Sequence, residues 1–160
     1  MRSVVVPADK PEFVIQRVFD APRELVYRIW TRPEYVREWW GVDGATIVAC
    51  DLDVRPGGAF RIDMRSADGT VYVNRGVYIE VAANERIVSR DIRGEGENTE
   101  QIPAGTHSVT FEDHDDGTLV TLVSRFESTQ VRDMMLRFGM AEGIGQSLDR
   151  LARLIIKHHF

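Results

Sequence analysis

Four histidines, one cysteine and scattered serines and carboxylates are the side chains of this chain that could do chemistry, and their spacing spells no familiar catalytic set. His107, His114, His158 and His159 stand in no His-Glu-x-x-His or His-x-Glu arrangement, and the lone Cys50 cannot supply paired thiolates. No metal and no other cofactor is therefore expected. Cys50 lies between Ala49 and Asp51 in a stretch that reads as a strand, which suits a packed thiol better than a reactive one. Ser147 precedes Leu148 without the strand-to-helix elbow of a hydrolase nucleophile. Arg55-Pro56-Gly57-Gly58 is followed by neither Gly-Lys-Ser nor a helix, so it reads as a turn and not a phosphate loop. Asp113 to Asp116 lacks the twelve-residue frame and closing glutamate of a calcium loop, and reads as a hairpin tip. What remains is a set of lone titratable groups, Asp51, Arg75 and His107. Each becomes a candidate acid, base or ligand anchor only if it opens into an apolar pocket.

The apolar side chains are better ordered. Phe60, Ile62 and Met64 alternate with Arg61, Asp63 and Arg65, the pattern of a sheet with one dry face and one wet face. Val131, Met134, Met135 and Phe138 recur at helical spacing, and after Gly139 the stripe continues through Ile144, Leu148, Leu151 and Ile155. A helix laid across the dry face would turn Met134, Met135 and Phe138 toward Phe60 and Met64. Two outcomes follow. Either these side chains fill an ordinary core, or the gap stays open as a ligand cavity, for which adaptable methionines make a tolerant wall. Trp39 and Trp40 are adjacent, so they point in different directions; one can pack while the other faces a cavity or solvent. The candidate ligand-binding residues are thus Trp39, Trp40, Phe60, Met64, Met134, Met135 and Phe138. Arg17, Arg75, Asp51 and Thr121 lie on strands whose inward parity the pattern leaves open.

The elements that would hold these residues can be read in order. Glu12 to Asp20 alternates as a strand. Pro22 suits the first position of a short helix with an apolar stripe of Leu25, Val26, Ile29 and Trp30. Pro33 breaks it, and Glu34 to Trp40 forms a second helix ending at Gly41. Between Ala45 and Phe126 six strands fit, at about Thr46 to Val54, Ala59 to Ser66, Thr70 to Val81, Arg86 to Arg93, Thr106 to Glu112 and Thr118 to Phe126. Gly and Asn turns separate most of them, so neighbours should be antiparallel. Gly94 to Gly105 is polar, acidic and glycine-bearing, an exposed loop. Ser128 or Thr129 caps the helical C-terminal region.

Composition narrows the function classes. The 160 residues suit one domain, and hydrophobic residues at 43% with charged residues at 28% are ordinary for a globular chain. No run approaches the roughly 20 apolar residues of a membrane span. Met1 to Lys10 lacks the apolar region and cleavage site of a secretory signal, and a single cysteine permits no internal disulfide, so a cytoplasmic location is expected. The net charge is -5 with no basic stripe, which disfavours nucleic acid.

The joints of this order carry a resemblance. Phe19-Asp20-Ala21-Pro22-Arg23-Glu24-Leu25-Val26, Trp30-Thr31-Arg32-Pro33-Glu34, Trp39-Trp40-Gly41, Arg55-Pro56-Gly57-Gly58, Gly76-Val77-Tyr78-Ile79-Glu80-Val81, Glu85-Arg86-Ile87-Val88 and Arg132-Asp133 through Gly139-Met140 to Leu148-Asp149-Arg150-Leu151 resemble the activator of Hsp-90 ATPase homologue-like proteins. That family is a branch of the START-like, or SRPBCC, superfamily, which includes polyketide cyclases and birch-pollen-allergen-like proteins. The resemblance runs from about Glu12 to Ile156 and implies an α+β helix-grip fold. In it, a curved antiparallel sheet of about seven strands wraps a long C-terminal helix, with two short helices after the first strand. Residues 1–11 would be an N-terminal extension and 12–158 a single START-like domain. The family often has proline where this chain has Val42 and tryptophan where it has Ile144; both positions fall at the expected pocket rim or floor.

Three functions follow. The first is non-enzymatic binding of a small hydrophobic or amphipathic molecule between sheet and C-terminal helix. The second is a co-chaperone-like interaction with the Hsp-90 ATPase. The third is chemistry of the cyclase or aromatase type, which needs little beyond shape and one acid or base. The expected partner is a small apolar molecule, with a chaperone and a second copy of the chain as alternatives.

Overall fold

The computed structural model describes residues 2–92 and 104–158. The loop read over Gly94 to Gly105 therefore falls, as far as residue 103, outside the described residues, as does His159. Eight strands form one antiparallel sheet: β1 (Arg2–Val5), β2 (Glu12–Phe19), β3 (Thr46–Leu52), β4 (Ala59–Arg65), β5 (Val71–Ala82), β6 (Arg86–Asp91), β7 (Thr106–His114) and β8 (Gly117–Arg125). Their order across the sheet is β1-β2-β8-β7-β6-β5-β4-β3. Register shifts between Ile47 and Ala49 and between Tyr78 and Glu80 mark irregularities of the kind that bend a strand. Helices α1 (Arg23–Thr31) and α2 (Pro33–Trp39) link β2 to β3, and α3 (Thr129–Arg137) and α4 (Met140–His158) end the chain. This is the helix-grip α+β architecture.

The sheet has one strand more than expected. Arg2–Val5 pairs antiparallel with β2, placing Arg2 opposite Arg17 and Val5 opposite Val14. A four-residue edge strand whose Val4 and Val5 remain exposed has no buried face to leave an alternating pattern, so its sequence carries little signal. The segment after it is tied down from the opposite end of the chain. Arg132 on α3, only 5% exposed, donates from Nη1 to the carbonyls of Pro7 and Lys10, the latter at 2.6 Å.

Local chemistry explains the helix ends. Pro22 stands one place earlier than expected, in extended backbone at φ -65° and ψ 152°, with its carbonyl accepting from Leu25 and Val26. Pro33 begins α2, where its missing N–H costs nothing. Ser128 caps α3 by accepting from the Val131 N–H at 3.1 Å, and the chain turns at Gly139 before α4.

Helix α4 is fastened by polar bonds on one side and by apolar packing on another. The Ser147 hydroxyl both accepts from Gly41 N–H and donates to the Gly41 carbonyl, each at 2.9 Å. Gln146 accepts from Asp43 N–H at 2.9 Å, and Arg150 donates to the Trp39 carbonyl at 3.2 Å and to Asp43 at 2.8 Å. Arg17 on β2 forms an ion pair with Asp149. Leu148, Leu151, Leu154 and Ile155 join Phe13, Ile15, Phe19, Val26 and Ile29 in one buried cluster. No helix among the described residues is long and apolar enough to cross a membrane.

Candidate functional site

The same cluster borders a hollow, with its Trp39, Ile62, Val109 and Phe126 on the wall. A cavity of about 830 Å³ lies against the inner face of strands β4 to β8. Its walls include Trp30, Trp39 and Trp40 from the short helices, Phe60 and Ile62 from β4, and Met135, Met140 and Ile144 from α3 and α4. Val71, Tyr72 and Ile92 line it and are 48%, 45% and 43% exposed, so they mark where it meets solvent. The volume is of the size that takes a drug-sized molecule.

Each aromatic wall has a fixed cause. Trp39 is 3% exposed, donates its indole N–H to the Ile29 carbonyl at 3.1 Å, and lies 4.7 Å from the Trp30 ring. Trp40, one residue on, is only partly buried. The Phe60 ring lies across Gly76 on the neighbouring strand: a Cβ at Gly76 would come within 2.4 Å of two of its ring atoms. Only glycine leaves room for this close approach. Phe60 also sits 5.3 Å from Tyr78, whose phenol is pushed up in pKa by burial, then by Cys50, Tyr27 and Asp53, so it stays protonated.

Four of the seven side chains singled out from the sequence, Trp39, Trp40, Phe60 and Met135, line the cavity together. Three do not. Met64 lies over Gly41, where a Cβ would stand 2.9 Å from its sulfur, and so packs beneath the α2–β3 turn. Met134 is not among the wall residues, although its neighbour Met135 is. Phe138 is 75% exposed: α3 stops at Arg137, so at Phe138 the chain has left the stripe that carried Val131 and Met135 inward. Wall residues that the sequence pattern does not single out include Trp30, Tyr78 and Met140, while Ile144, expected at the pocket rim or floor, lies on the wall. Trp30 reads as core stripe, and only the packing of α1 on α2 brings it beside Trp39.

One end of the cavity is polar. His107 on β7 lies opposite Ser124 on β8 and opposite Ser89 on β6, so one inward row crosses three strands. The imidazole Nδ1 is 2.9 Å from Ser124 Oγ, and Nε2 is 2.8 Å from Asp91 Oδ2, which also accepts from Gly105 N–H at 3.0 Å. Asp91, His107 and Ser124 all line the cavity. Ser124, 4% exposed, and Asp91 drew no attention in the sequence because only the strand register makes them neighbours of His107.

The other polar strand residues divide by face. Asp51, Arg61 and Arg75 form one row across β3, β4 and β5 that borders a shallow outer hollow, and Arg75 touches the main cavity as well. Asp51 does not open into the main cavity. Arg17 points inward with its guanidinium 5.4 Å from the Phe19 ring, and Thr121 accepts from Gln16 at 3.2 Å. Cys50 is buried, and that burial, partly countered by Arg37 and reinforced by Asp51, raises its thiol pKa. Among the described residues no group of three or more His, Cys, Asp or Glu is placed to hold a metal ion.

A curved sheet, a gripping C-terminal helix and a hollow between them define a START-like helix-grip protein. The family model described as Activator of Hsp90 ATPase homolog 1-like protein matches residues 20–155, and the chain belongs to that family. No curated protein matches the chain. Solved structures do. A Mycobacterium smegmatis protein is 24% identical with TM-score 0.86, over 96% of this chain and 95% of its own. A Nitrosomonas europaea protein is 24% identical with TM-score 0.84, over 96% and 99%. An Arthrobacter aurescens protein is 24% identical with TM-score 0.86, over 97% and 91%. At that identity these likenesses speak for the fold alone.

Proposed function

We propose that the protein binds a small hydrophobic or amphipathic molecule in the cavity between sheet and helices. The observation that carries this reading is the cavity itself, about 830 Å³ with mostly apolar walls and an apolar, exposed rim of Val71, Tyr72 and Ile92. Affinity would come from removing ligand and wall surface from water, at roughly 25 cal/mol per Å² before the costs of association. All three tryptophans of the chain line the cavity, so the protein carries its own reporter. A panel of fatty acids, fused-ring aromatics and polyketide-like phenols should contain members that shift tryptophan emission saturably and raise the melting temperature. A ligand at 100 times its dissociation constant adds about 2.7 kcal/mol to stability. A panel that moves neither signal would remove the proposal.

Catalysis is a second reading, and one observation favours it. His107, a group able to take and return a proton, lines the cavity with its ring oriented by Asp91. Recovery of a bound ligand unchanged after prolonged incubation would leave binding alone. The chaperone contact carried by the family's name would use the outer surface, and the cavity gives it no support.

A further inference from the structure

The polar end of the cavity limits what its ligand can be. We propose that Ser124, set by His107 and Asp91, is a hydrogen-bond acceptor subsite for the hydroxyl of an otherwise apolar alcohol or phenol. This rests on the cavity-binding reading and adds the ligand's polar group and orientation to it.

The argument is one of donor and acceptor bookkeeping. An ionised Asp91 can only accept, so the Nε2 atom, 2.8 Å from Oδ2, must carry the proton. Where the imidazole is neutral, the state favoured at pH 8.5, Nδ1 is then a bare lone pair. The Ser124 hydroxyl, 2.9 Å away, satisfies it by donating its only hydrogen. What Ser124 has left is its oxygen lone pairs, in a residue 4% exposed that lines the cavity. A ligand hydroxyl reaching this end finds an acceptor already oriented. An ether or ketone finds lone pairs facing lone pairs, with its own oxygen buried and unpaired. The apolar walls at Phe60, Ile62, Met135 and Ile144 would hold the rest of the molecule. Besides His107, the titratable or charged side chains on the cavity wall are Asp91, Arg75, Tyr72 and Tyr78. Asp91 is the one hydrogen-bonded to the imidazole.

The test compares 2-naphthol, 2-methoxynaphthalene and 2-acetylnaphthalene by calorimetric titration at pH 8.5 on the full chain, with a variant of Ser124 and His107 beside the wild type. Burial of apolar surface alone ranks the methyl ether at or above the naphthol, so the two explanations predict opposite orders. The wild type should bind 2-naphthol about five- to tenfold more tightly than either acceptor-only compound, the ratio expected of one net hydrogen bond. Ser124→Ala bares Nδ1, itself an acceptor, so the deciding variant is Ser124→Ala combined with His107→Phe, which should erase that preference while keeping its affinity for the ether. Equal or reversed affinities in the wild type, or a preference that survives in the double variant, would overturn the subsite and leave the cavity reading standing. No binding of any of the three to the wild type would remove both.

Discussion

The space under the sheet has a solid half and a hollow half, though both are walled by large apolar side chains. In the solid half Phe13, Ile15, Phe19, Val26, Ile29, Leu148 and Leu151 are each 2% exposed or less. In the hollow half Trp40, Tyr78, Met135, Met140 and Ile144 are only partly buried and face the cavity. Helix position separates the two. The helices make their main contacts with the sheet on β2, β3, β7 and β8, so side chains from both layers interlock there. None of those main contacts falls on β4, β5 or β6, and the cavity opens there and runs on against part of β7 and β8. Apolar composition alone does not make a core; two layers must meet at packing distance.

That contrast can be broken by mutation, beginning with the largest effect. Leu148→Ala or Leu151→Ala, in the solid half, should cost about 2–5 kcal/mol in urea unfolding, whereas Ile144→Ala, beside existing empty space, should cost about 1 kcal/mol. Equal losses would mean that the halves do not differ. Ser147→Ala removes the hydroxyl that pairs with both Gly41 N–H and Gly41 carbonyl. It should destabilise by about 1–3 kcal/mol through the orphaned backbone groups. Ile144→Trp puts a larger side chain on the cavity wall, and should abolish the ligand-induced rise in melting temperature while moving the unliganded melting point by only about 2–4 °C. Cys50, packed in the buried cluster, has a raised pKa and little thiolate near neutral pH. Thiol labelling at pH 8 should therefore be slow in the native protein and become fast in urea.

Much of the fold was legible because it is written locally. Seven strands appear within two residues of where alternation and turn residues put them, and Pro33, Gly41 and Ser128 set their helix ends as their backbone chemistry requires. The eighth strand, Arg2–Val5, was not legible, since pairing with β2 gives it order and its own residues show no periodicity. The site divides in the same way. Trp39, Trp40, Phe60 and Met135 follow from residue type and spacing, but Met64 and Phe138 shared that spacing and went elsewhere, one under the α2–β3 turn and the other to solvent. Asp91, His107 and Ser124 come together through strand register across β6, β7 and β8. That pairing joins residues far apart in the chain, so no local pattern announces it.

The hollow half can be tested without knowing the ligand. Crystals pressurised with xenon would show whether apolar space is present, because the atom enters dry cavities and is excluded from close-packed cores. Xenon should appear among Phe60, Ile62, Met135 and Ile144, with none among Phe13, Ile15, Leu148 and Leu151. Side chains closed over the first group with no xenon between them would contradict the account.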